Sequence, residues 1–75
     1  MSAAPTDIVG ARDALCHQEM FEQLGLTSFY AGKAQQFIEV GDQAAVDYMI
    51  KRAIVHLKTA ILARNHLMVS DAEAP

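Results

Sequence analysis

Apolar residues recur along the last third of the chain at Val46, Met49, Ile50, Ala53, Ile54, Leu57, Ala60, Ile61, Leu67 and Met68, in steps of three and four. That spacing is the signature of a helix with a broad apolar stripe. Glycine and proline are missing from the stretch after Gly41, and Asp42 stands where a side-chain oxygen can accept from the free amides of a first helical turn. The pattern therefore predicts a long helix over 43–68. Asp47 and Lys51 add an acid-first pair four residues apart on it.

Upstream the rows are less regular. Ile8, Ala11 and Leu15 form one row, and Ala14, His17, Phe21 and Leu24 form another, with Cys16 and Met20 beside them; a helix over 7–24 follows, capped by Thr6 or Asp7. Gly25 before Leu26 reads as a stop, because glycine takes the left-handed conformation that ends a helix and the next apolar residue packs back. Thr27 or Ser28 then caps a helix over 28–40, with Tyr30, Ala34, Phe37 and Ile38 inward, and Gly41 closes it. A flexible arm over 1–6 and a flexible tail over 69–75 flank a single helical domain, 7–68. Whether the first two helices are separate or one kinked helix is left open by the residues.

Length turns this pattern into a packing problem. A helix of about 26 residues runs about 39 Å, whereas one of about 12 residues reaches about 18 Å, so half of the long helix is bare unless the first helix or another chain covers it. Positions 46, 50, 53, 57, 60, 64 and 67 alternate in steps of four and three, compatible with coiled-coil packing. The expected fold is all-α: a helical hairpin or three-helix chain with a long C-terminal helix, oligomerising into a four-helix or larger bundle.

Composition reinforces that picture. At 75 residues the chain buries only about 60% of its unfolded surface. Cys16 is the only cysteine, so no disulfide within the chain can supplement the core, and a lone thiol without an export leader fits a cytoplasmic protein. Aromatic residues are 7% of the chain and tryptophan is absent, which suits helices rich in Ala, Leu, Ile and Met better than a sheet. No apolar run is long enough to span a bilayer, since Lys51, Arg52, Lys58 and Arg64 interrupt the richest segment. The net charge of −3 is unevenly spread: these four cations face one acid, Asp47, between 43 and 68, while Arg12 and Lys33 stand against six acids before residue 43. An acidic half and a basic half favour each other, within a chain or between chains.

Candidate chemistry is sparse. Cys16 and His17 are adjacent and point about 100° apart on a helix, and His56 and His66 lie nearly three turns apart, so no metal-chelating spacing is present. None of the histidines lies in the Glu-x-x-His arrangement of bundle di-iron sites. His17, on the row with Phe21, is a candidate polar group at an interface and pH sensor. Cys16 reads as a buried, inert thiol, and Glu19 with Glu22 as a solvated face. Met20 to Phe37 has a glycine where a helix-turn-helix needs one, but Lys33 is the only cation on its second helix, and phosphate neutralisation supplies most DNA affinity.

The expected function is a non-enzymatic cytoplasmic protein-protein interaction module, an adaptor, regulatory or accessory subunit acting through helix packing and forming a homodimer or higher oligomer. Its interface residues are Met49, Ile50, Ile54, Leu57, Ile61 and Met68, with Lys51, Arg52, Lys58 and Arg64 steering an acidic partner surface, and Met20, Met49 and Met68 lending adaptability. No catalytic residue, metal or cofactor is expected. The alternatives are a small nucleic-acid-binding dimer acting as a transcriptional regulator, and a metal- or haem-binding helical bundle.

Overall fold

The computed structural model describes the backbone of residues 4–73 and the side chains of residues 10–67. It contains two α-helices, α1 (Ala4–Val40) and α2 (Gln43–Glu73), packed antiparallel as a hairpin. Two alternatives were open for the N-terminal half, and the structure takes the continuous one. The break expected at Gly25 is absent: among the described residues only Gly41 has positive φ, at 77°. Thr27, a candidate cap, instead donates its hydroxyl to the carbonyl of Gln23, four residues back, as an interior helical threonine does.

Neighbouring α2 explains why α1 runs through a glycine. Glycine inside a helix costs about 1 kcal/mol relative to alanine, and docking against a second long helix outweighs that local penalty. The ends also extend further than the apolar pattern implied. α1 begins at Ala4, with Pro5 in the first turn where a missing N–H leaves no helical bond unmade, so residues 4–6 of the expected arm are helical. α2 continues to Glu73, through most of the expected tail; residues 1–3 and 74–75 lie outside the described residues.

Turn chemistry at Gly41–Asp42 follows the sequence closely. Gly41 N–H donates to the Ile38 carbonyl at 3.1 Å and Asp42 N–H to the Phe37 carbonyl at 3.0 Å, the double closure of a glycine-terminated helix. Asp42 then turns to its second task, its carboxylate accepting from Ala45 N–H at 3.0 Å while its carbonyl accepts the first helical bond from Val46. One residue ends α1 and the next starts α2.

Along α1 the half-buried and buried positions include the series Cys16, Met20, Gln23, Thr27, Tyr30, Ala34 and Phe37, and along α2 the series Val46, Met49, Ala53, His56, Ala60, Ala63 and Leu67, with Asp13, Glu19, Gly32, Lys33, Ala45, Arg52 and Thr59 half-buried beside them. Both series alternate in steps of three and four, the spacing of a two-stranded coiled coil. The α2 seam thus uses Met49, His56 and Ala63 where the sequence pattern pointed to Ile50, Leu57 and Arg64. Small side chains explain the choice, since Ala53, Ala60 and Ala63 let the helix backbones come close. The buried residues among those described are Ala34, Val46, Ala60 and Ala63.

The resulting body measures 58 × 24 × 11 Å, and its smallest dimension is about the diameter of a single helix. The described residues form one layer of helices.

Two glycines should respond oppositely to alanine. At Gly41 a side chain meets no neighbour but φ is left-handed, so Gly41→Ala destabilises by about 1 kcal/mol or more. At Gly25, with ordinary helical φ and open space, Gly25→Ala stabilises by up to about 1 kcal/mol. Urea denaturation followed by helical circular dichroism measures both signs.

Candidate interaction faces

Because the hairpin is one layer thick, each helix offers two flanking rows beside its seam row. Rotating about 100° from the seam of α2 in one direction gives Asp47, Ile50, Ile54, Leu57, Ile61 and Arg64; the matching row of α1 carries His17, Phe21, Leu24, Ser28, Ala31, Gln35 and Ile38. These rows share one side of the layer. A shallow groove of about 210 Å³, lined by Met20 and Leu24 from α1 and Leu57, Ala60, Ile61 and Arg64 from α2, joins them.

This first face is open apolar surface. Ile50, Ile54, Leu57 and Ile61 remain 40–47% exposed, and Phe21 is 80% exposed. Fully burying a leucine or isoleucine is worth about 1.5–3 kcal/mol relative to leaving it exposed, so a hairpin standing alone leaves much of that stabilisation unrealised. Contiguous exposed apolar surface of this kind marks an interaction site more often than scattered single residues do.

The opposite face is mixed. Leu15, Leu26, Phe29, Tyr48, Val55 and Leu62 are exposed there, but Glu19, Glu22, Lys33 and Arg52 lie among them. Lys33 reaches over the Phe29 ring, 5.6 Å from its centre, and Phe29 meets Tyr30 edge-on at 5.2 Å. A larger hollow of about 400 Å³ brings Cys16 and Glu19 beside Thr59 and His66. Among the described residues no three His, Cys, Asp or Glu side chains are grouped so as to hold a metal ion.

The expected interface residues separate into three groups. Ile50, Ile54, Leu57 and Ile61 lie together on the first face; Met49 is half-buried in the hairpin's own seam; the side chain of Met68 lies outside the described residues. The four cations are dispersed. Lys51 and Lys58 sit on the row facing away from α1, Arg52 flanks the mixed face, and Arg64 borders the Leu57 groove, donating to Asn65 Oδ1 at 3.2 Å. Lys51 pairs with Asp47 at 2.8 Å in full solvent, and the hydrogen bond and charge of that carboxylate raise the Lys51 pKa above its usual 10.5.

Periodicity reasoning gave no sign of a polar cluster at the middle of the seam. His56 Nδ1 lies 2.7 Å from Gln23 Oε1, its ring stacks on Tyr30 with 5.4 Å between centres, and the Arg52 guanidinium lies 5.5 Å from the Tyr30 ring centre. Since Gln23 Oε1 accepts, Nδ1 carries the proton in this arrangement, and Nε2 faces Arg52 Nη2 at 3.5 Å as the acceptor. Arg52 Nε is buried with no acceptor among the described residues. His17, a candidate polar group at an interface, is exposed, with Nδ1 2.9 Å from the Asp13 carbonyl. The seam histidine is His56, a position that a stripe drawn through Leu57 could not single out.

No protein-family model matches this chain, and no curated protein or solved structure matches it either. Among the described residues no helix is long and apolar enough to cross a membrane.

Polar pairs inside a helix seam fix which residues face each other at some cost in stability. Gln23→Ala, which removes the acceptor facing His56, should lower stability by about 1 kcal/mol. Replacing both with leucine should recover most of the loss, because the facing donor and acceptor leave together and Arg52 gives up only its long 3.5 Å contact to His56. Denaturant midpoints of the three chains decide the ranking.

Proposed function

We propose that this protein is a non-enzymatic interaction module that works by helix packing, associating through the face centred on Leu57 into a bundle of four or more helices. The observation that carries this reading is the division of labour along α2. Ala53, Ala60 and Ala63 lie in the hairpin seam, while Ile50, Ile54, Leu57 and Ile61 stand in a continuous row that the described residues leave exposed. A folded layer of about 58 × 24 Å offers room for the roughly 800 Å² per partner of a standard-sized interface.

On this reading the protein acts as an adaptor, regulatory or accessory subunit, and the groove between Leu24 and Leu57 is the seat of contact. Arg64 beside that groove orients the approach, whereas Lys51 and Lys58 on the far side of α2 keep the outer surface soluble.

Light scattering at micromolar concentration should give the parent chain a mass above that of a monomer. Leu57→Asp places a charge at the middle of the row and should weaken association by about 2 kcal/mol or more, roughly thirtyfold, with helical circular dichroism unchanged. A monomeric parent would overturn the proposal.

A further inference from the structure

We infer that the occupant of the Leu57 face is a second copy of this chain, laid antiparallel across it about a two-fold axis passing between Val55 and His56 of α2. This deepens the association reading above and rests on it. The row Asp47, Ile50, Ile54, Leu57, Ile61, Arg64 is palindromic in spacing and complementary in chemistry about that point. With the axis there, Ile54 faces Leu57 of the other copy, Ile50 faces Ile61, and Asp47 faces Arg64. Opposite charges meet at both ends of an aliphatic centre, a self-complementary pattern that only the antiparallel direction produces. The parallel direction sets Asp47 against Asp47 and Arg64 against Arg64.

Across the hairpin, α1 reports the same axis independently. His56 is held between Gln23 and Tyr30, so the stretch of α1 level with the proposed axis is centred near Leu26. Reflecting the α1 row of the same face about Leu26 sets Leu24 against Ser28 and Phe21 against Ala31. Large side chains meet small ones at both pairs, the alternation that lets facing layers interdigitate. The product is a four-helix bundle in which α1 packs on α1 and α2 on α2, each neighbour antiparallel.

The direction of pairing can be read with spin labels on the outward row of α2, in chains whose only cysteine is the labelled one (Cys16→Ala with Ala44→Cys, or with Lys58→Cys). In the proposed dimer the labels at 44 lie ~35 Å apart along the helix axis, and those at 58 lie within ~15 Å. Dipolar spectroscopy showing a long distance at 44 and a short one at 58 supports the arrangement. A dimer giving similar distances at both sites retains association and overturns the antiparallel register. No dipolar coupling between copies at either site overturns self-association itself. Charge exchange gives a second readout: Asp47→Arg and Arg64→Asp should each weaken dimerisation, by about tenfold, and the double variant should recover most of the loss. A double variant no tighter than the singles would overturn the Asp47–Arg64 pairing.

Discussion

A helix with one neighbour can hide one stripe of its circumference, and this chain supplies each of its helices with one neighbour. Every other property of the structure follows from that limit. α2 carries two adjacent rows, one rich in alanine and one of branched aliphatic residues between Asp47 and Arg64, and the hairpin can cover only one. Covering the alanine row brings the backbones close and leaves Ile50, Ile54, Leu57 and Ile61 in the open. The opposite choice would hold the helices apart and expose Ala53, Ala60 and Ala63, small residues that gain little from a partner. The arrangement thus leaves the larger apolar payload on the surface.

Much of this was legible in the amino-acid order. Gly41 and Asp42 announce the turn because each has a specific backbone role, a positive φ and a carboxylate cap, and both are filled as expected. The excess apolar width of α2 was equally plain, since no one-stripe helix needs both Ile50 and Met49. What the pattern could not resolve was phase. Rows one residue apart differ by about 100° of rotation, and hydrophobicity alone ranks Leu57 above His56 for the seam. The deciding influence was side-chain size opposite α1, and size preference emerges only once two helices are set side by side. Gly25 misled for a related reason: its local tendency to end a helix is worth about 1 kcal/mol, less than the continuous packing that runs past it. The hairpin alternative to three helices was therefore the one realised.

The seam's polar centre gives the hairpin its alignment. Alanine against small or flexible residues makes a permissive contact that could slide by a turn at little expense, whereas the His56 ring between Gln23 and Tyr30 has one position in which its hydrogen bond and its stacking are both satisfied. Arg52 spans Tyr30 and His56 from the edge of the seam and adds to the same alignment. The cluster sits near the middle of the rod, so it governs the relative height of the rows on both faces.

The two-residue link at Gly41 and Asp42 has a consequence for how such a chain can change in length. Inserting a single residue within either arm turns everything beyond it by about 100° and exchanges seam for surface. Growth or trimming that preserves both seam and surface must come in blocks of seven, matched in α1 and α2, so the hairpin is quantised in size: only longer or shorter rods with the same cross-section, joined by an unaltered bend, keep its pattern.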